Sequence, residues 1–241
     1  MKSDRVGDGM WRAFGLFLVA VSCVYAGYSK APTQVATVDV AADPRELVVL
    51  VHGMGRTPVS MLPLQRTLEN AGYRVVSWGY SSYCCTIEDL AMRLRDDVAA
   101  SRGAARRVHF VGHSLGNILI RWVLTEEERP SWVGRVVMLA PPNQGSYSAD
   151  RYAGWLGRVL KPLPELATDS LSTVRRLAVP AGIAVGIIAA EHDGKVTVAQ
   201  THLPGETAHV TVPGTHTFIM YRRDVRGMVR AFLRTGQFPS R

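Results

Sequence analysis

From Arg45 onward, short unbroken apolar runs alternate with longer stretches whose apolar residues recur every three or four positions. The runs are ELVVLVHG (46–53), YRVVSWGY (73–80), RRVHFVGH (106–113), GRVVMLAPP (134–142), GIAVGIIAAE (182–191) and HVTVPG (209–214). Most are rich in valine, isoleucine and leucine without strict polar alternation, the pattern of strands covered on both faces. Such runs separated by helical periods predict parallel strands joined by crossover helices. The expectation is an α/β fold of three layers: a mostly parallel sheet of about six strands with helices on both faces.

Helices are expected around Ser60–Asn70, around Thr86–Ala100 and from Leu115. The second opens with a capping box, in which Thr86 caps and Asp89 follows three positions on, while Glu88 complements the helix dipole. The final stretch, TFIMYRRDVRGMVRAFLRTG (217–236), is apolar at helical spacing and closes at Gly236. One connection is longer than an ordinary crossover loop: 147–180, between the fourth and fifth strands. Its Trp155, Leu156, Val159, Leu160, Leu163 and Leu166 carry enough apolar surface for a small lid or one wall of a pocket. Packing of the same residues onto the core is the equal alternative. An insertion there lies over the carboxyl ends of the strands, where open parallel sheets bind ligands.

The N-terminus has a different pattern. Lys2, Arg5 and Arg12 precede AFGLFLVAVSCVYA (13–26), which ends in small residues around Ala26 and Gly27. This fits a secretory signal, and the stretch from Met10 to Tyr28 is nearly long enough for an uncleaved anchor. A buried first helix fits less well, because the run lacks amphipathic alternation. Cys23 makes a poor lipoprotein site, since Ala20 stands where leucine is usual. Residues 1–28 therefore read as a signal peptide or N-terminal membrane anchor, 29–44 as a linker and 45–241 as the domain. Either reading exports that domain, to the periplasm, the medium or the membrane surface.

Of the three cysteines, Cys23 falls in the leader, which leaves the neighbours Cys84 and Cys85 as two thiols or one strained bridge. The seven histidines and three cysteines show no paired spacing of the zinc type, and no phosphate-binding glycine loop is present. No metal or cofactor is therefore expected. The formal net charge of +8 reads by default as a solvated basic surface, with adsorption to anionic membrane surfaces or polymers as the alternative, and the chain carries no nucleic-acid motif. The pattern leaves the oligomeric state open.

Candidate chemistry gathers at strand ends. GHSLG (112–116) closes the third strand and opens a helix, the context in which a Gly-x-Ser-x-Gly pattern projects its serine above the sheet. Ser114 is a weak nucleophile unless a base and an orienting carboxylate are within reach. His216, in VPGTHTF after the last strand, is the candidate base. His192 is its nearest rival, His113 should point away by strand alternation, His109 lies inside a strand, and His202 and His209 flank a loop. Asp193, in EHDG after the fifth strand, is the candidate acid, with Glu191 as runner-up. An oxyanion also requires donors, each able to contribute about 3 kcal/mol. The Met54 amide between Gly53 and Gly55, and the Leu115 amide at the helix start, are the candidates.

VHGMGRTPVSM, GHSLGN, LAPPNQGS, HDGKVTV and PGTHTFIM, in this order from about Glu46 to Phe232, resemble the small bacterial lipases and esterases of the α/β-hydrolase superfamily. The resemblance implies cofactor-free hydrolysis of an acyl ester or lipid through an acyl-enzyme. It assigns Ser114, Asp193 and His216 to the triad, and Met54 and Leu115 to the oxyanion hole. Acyltransfer or thioester hydrolysis on the same fold is the alternative. A binding protein without turnover fits less well, because all three triad types and both donor loops are present. The vicinal cysteines of SSYCCTIEDL lie outside the family pattern.

Overall fold

The computed structural model of the chain describes residues 43, 45–125, 131–178 and 180–239. The signal or anchor reading of 1–28, and the linker apart from Asp43, lie outside the described residues. Six strands form one sheet: β1 (Glu46–Val51), β2 (Arg74–Trp78), β3 (Arg107–His113), β4 (Val133–Leu139), β5 (Val185–Ala190) and β6 (Ala208–Val212). Their order is β2-β1-β3-β4-β5-β6, and every pairing is parallel, so the expected mostly parallel sheet is wholly parallel.

Each apolar run feeds both faces of this sheet. Leu47, Val49 and Val51 of β1 enter one core, and Val48 and Leu50 enter the other. On the first face lie α2 (Ile87–Ser101), which contributes Leu90, Leu94 and Val98, and α3 (Leu115–Leu124), which contributes Ile118, Leu119 and Val123. The opposite face is closed by α1 (Leu62–Glu69) and by the C-terminal helix (Arg223–Thr235) through Val225, Val229, Phe232 and Leu233. Most stability resides in this two-sided burial, since fully burying a side chain of this size is worth about 1.5–3 kcal/mol. The Thr86 capping box forms as expected, with both reciprocal bonds between Thr86 and Asp89.

The C-terminal helix begins later than its sequence period suggests. Ile219–Tyr221 is a 3-10 turn in which Ile219 and Met220 are fully buried, and the helix starts at Arg223 with Asp224 in its first turn. The spacing of those apolar residues reflects burial in the second core, not a continuous helix.

The insertion after β4 contains α4 (Tyr147–Leu156) and a short α5 (Thr173–Arg176). Ala149, Leu163, Leu166 and Val174 are buried in the first core, with Leu156 and Leu160 packed against it, while Trp155 and Val159 are exposed. The insertion is thus anchored to the core by these apolar residues.

His109 adds a pH dependence to the sheet. Its ring is fully buried on β3, and the Arg135 backbone N–H donates to Nδ1 at 2.9 Å. Burial, followed by the positive charges of Arg135 and Arg107, lowers its pKa to about 4, with Glu46 3.5 Å from Nε2. Between about pH 4 and 6.5 the unfolded chain binds a proton that the folded chain refuses, so this contribution is complete above pH 6.5 and lost as the pH falls. His109→Asn, which keeps an acceptor for the Arg135 amide, should remove about 3 kcal/mol of acid sensitivity over that window. Urea unfolding of both proteins at pH 7 and pH 4 measures the difference; equal losses would contradict the assignment.

Candidate active site

The site is built at the carboxyl ends of β1, β3, β5 and β6. Ser114 lies between β3 and α3 with φ 51° and ψ −123°, a left-handed conformation that costs a non-glycine residue on the order of 1–3 kcal/mol. Neighbouring groups hold it there. The Ser114 N–H donates to the Leu139 carbonyl at 3.0 Å, and the buried Asn117 side chain donates to the same carbonyl at 2.9 Å. Both flanking glycines are required by close approach. A Cβ at Gly112 would fall 2.3 Å from Asn117 Oδ1, and one at Gly116 would fall 2.3 Å from the Val51 carbonyl oxygen.

The three expected partners meet. His216 Nε2 lies 2.8 Å from Ser114 Oγ, and His216 Nδ1 lies 2.7 Å from Asp193 Oδ2. The side chains of His216 and Asp193 are nearly sealed from solvent. Asp193 is oriented by its own turn, because Oδ1 accepts the Lys195 and Val196 backbone N–H groups at 2.8 and 2.9 Å. With Oδ1 so occupied, Oδ2 is left to face the imidazole. The rivals Glu191 and His192 are exposed and contribute backbone N–H bonds to Val212 and Gly214.

The donor loop after β1 abuts the same point. An added Cβ on Gly53 would come within 3.0 Å of Ser114 Cβ, so the turn carrying Met54 sits beside the serine. That turn is held by the Arg56 N–H to the Gly53 carbonyl and by the Gly55 N–H to Ser82 Oγ at 2.8 Å. Leu115 is the first residue of α3, where backbone N–H groups have no partner within the helix.

Several buried polar residues support this geometry without having been singled out in the sequence. His52 stacks on Tyr80 with ring centroids 4.3 Å apart, and the Tyr80 hydroxyl donates to the His52 carbonyl at 2.7 Å, tying the donor loop to the segment after β2. Arg121 is buried on α3 and donates to the Asn143, Leu177 and Ala178 carbonyls, which fastens both ends of the insertion. Burial lowers its pKa to about 10, so it remains charged at neutral pH.

His113 departs from expectation. It is not simply turned away: its ring is buried, and Nε2 donates to the His216 carbonyl at 2.8 Å. The loop after β6 folds across the end of β3, so a side chain on that side of the strand still meets it. Burial, then the neighbouring His216 ring, holds the His113 pKa well below its usual value and keeps the ring neutral. Cys84 and Cys85, left as thiols or a bridge by sequence, are joined as a vicinal disulfide.

The insertion borders the site. Ser146 Oγ donates to the Lys195 carbonyl at 2.7 Å beside Asp193, and the Lys161 N–H donates to the Tyr83 carbonyl at 3.0 Å. Tyr83 follows the Ser82 that holds the donor loop.

Residues 48–235 match the alpha/beta hydrolase family. The chain belongs to this family. Among solved structures, this hydrolase is similar to the propeptide form of the Bacillus licheniformis lipase BlEst2, with a TM-score of 0.65 and 20% identity over 83% of this chain and 52% of that one. It therefore spans about half the length of that relative. The mature form of the same lipase gives a TM-score of 0.61 and 18% identity over 84% of this chain and 96% of that one. A monoacylglycerol lipase from Paleococcus ferrophilus gives 0.60 and 15% identity over 82% and 97%. At these identities the likeness shows a common fold. No curated protein matches the sequence.

Replacing His113 by phenylalanine leaves the buried His216 carbonyl without its donor. The expected loss is about 1–3 kcal/mol in urea unfolding at pH 7, with partial recovery in His113→Gln, whose amide can donate. Equal stability of all three proteins would show that the bond contributes nothing.

Proposed function

We propose that this alpha/beta hydrolase cleaves carboxylic esters through an acyl-enzyme on Ser114. The observation that carries the reading is the continuous relay from Ser114 Oγ through His216 to Asp193, with hydrogen-bond separations of 2.8 and 2.7 Å. His216 Nε2 takes the hydroxyl proton as Oγ attacks the ester carbonyl, and the Asp193 carboxylate stabilises the imidazolium. The Met54 and Leu115 amides receive the oxyanion, aided by the positive end of α3. His216 then protonates the leaving alkoxide, and the alcohol departs. A water molecule, deprotonated by the same imidazole, releases the acid and restores Ser114. Transfer of the acyl group to another acceptor differs only in that last step.

An acyl chain or lipid as substrate is supported by the apolar side chains left exposed around the site-bordering segments: Tyr83, Trp155 and Val159, with Phe218 two residues after His216. The similar solved proteins include a lipase and a monoacylglycerol lipase. Export is supported by the basic and apolar pattern of residues 1–28, and the Cys84–Cys85 disulfide suits an oxidising compartment. The net charge of +8 favours an anionic membrane as the surface on which the substrate is met.

Wild-type protein should be labelled by a fluorophosphonate probe and should hydrolyse p-nitrophenyl esters, and Ser114→Ala should do neither. His216→Ala should lower the acylation rate by roughly four orders of magnitude or more, whereas His192→Ala should stay within a few fold of wild type. An unlabelled wild type that is inactive across acyl chain lengths would remove the reading, and equal losses in the two histidine variants would remove the choice of base.

A further inference from the structure

Away from Ser114, at the base of the last strand, three side chains with metal-binding donors converge. His202 caps the short helix α6 (Val198–Thr201), Glu206 ends the turn that follows, and His209 lies inside β6. One donor atom from each lies within 4.8 Å of the other two. We propose that His202, Glu206 and His209 form a binding site for a divalent transition-metal ion of the zinc type, which clamps the start of the edge strand that leads to His216.

The surroundings hold two of the donors in place. Glu206 Oε2 accepts the Leu203 N–H at 2.8 Å, which leaves Oε1 directed at His202 Nδ1, 2.6 Å away. His209 Nε2 lies 2.8 Å from Thr201 Oγ1, and that buried hydroxyl gives its own proton to the Val198 carbonyl at 2.6 Å. The Thr201 oxygen can therefore only accept from His209. This fixes the tautomer with the proton on Nε2 and leaves the Nδ1 lone pair free for an ion, the arrangement in which an outer hydrogen bond orients a metal-binding histidine. The two imidazoles stack with centroids 3.9 Å apart and planes 16° from parallel.

The donor set selects the ion. Two imidazole nitrogens and one carboxylate oxygen suit zinc, cobalt, nickel or copper, whereas calcium and magnesium take oxygen ligands. Tetrahedral zinc at ordinary bond lengths holds its donors about 3.3 Å apart. The required closure from 4.8 Å or less falls to His202, whose side chain is half exposed and would trade its bond to Glu206 for the ion. A water molecule would complete the shell. The 202, 206 and 209 spacing joins a helix end, a turn and a strand, so it matches no compact zinc pattern in the sequence. The competing reading is an ordinary His202–Glu206 ion pair under a ring stack, which binds no metal.

The test uses untagged full-length protein stripped with a chelator and then dialysed. Titration with zinc chloride by calorimetry should show one ion per chain, and cobalt(II) should give visible d–d absorption. Zinc should raise the melting temperature by a few degrees. His202→Ala and Glu206→Gln should each weaken binding at least tenfold, and Thr201→Val should weaken it about 10–100-fold by releasing the His209 tautomer. Ser114→Ala should bind as wild type does, which separates this site from the hydrolytic one. Absence of stoichiometric binding, or equal binding by wild type and a His202→Ala/Glu206→Gln double variant, would overturn the proposal. The readouts are affinity and melting temperature, so the result stands whether or not the protein cleaves esters.

Discussion

The first turn of α3 lies against the end of β1 with no space between them for a side chain at Gly116. Other features of the site follow from that contact. It places the helix N-terminus, the Ser114 hydroxyl and the glycine turn around Met54 within a few ångströms of one another, although β1 and β3 are separated in sequence by β2 and α2. Ser114 must then make the sharp turn from strand to helix in an unfavourable backbone conformation. That strain is sustained by Asn117 and by the Leu139 carbonyl on the neighbouring strand. A conformation unstable in a peptide persists here because the packed sheet over-determines it.

Much of this was legible in the sequence, for identifiable reasons. A parallel strand buried on both faces leaves an unbroken run rich in valine, isoleucine and leucine, so the inner strands β1, β3, β4 and β5 stood out, and shorter runs marked the edge strands β2 and β6. Turn residues at the strand ends marked Ser114, Asp193 and His216 as lying on one edge of the sheet. Helices bounded by a cap were also clear, as at Thr86. The C-terminal helix was placed too early because Ile219 and Met220 are apolar for a different reason, burial in a 3-10 turn.

Other features were not legible, because their partners are remote. Nothing local distinguishes Asn117 from any polar residue on a helix, and its contact with Leu139 exists only once β4 lies beside β3. His113 was placed by strand alternation, a rule that describes one strand and takes no account of a loop arriving from β6. Arg121 is a related case: a buried guanidinium whose partners are carbonyls of the insertion, a combination without a residue pattern of its own. Sequence reading recovers groups that must be of a given type for chemistry, and tends to miss groups whose identity matters for holding backbone.

The bond between Ser114 and His216 joins residues 102 positions apart, and the histidine arrives on the loop after the last strand. This arrangement therefore does not exist in any intermediate that lacks β6. A chain still emerging from the ribosome carries Ser114 without its His216 partner. The arrangement is complete only when the C-terminal quarter docks, so the topology itself acts as a delay between synthesis and the assembled site.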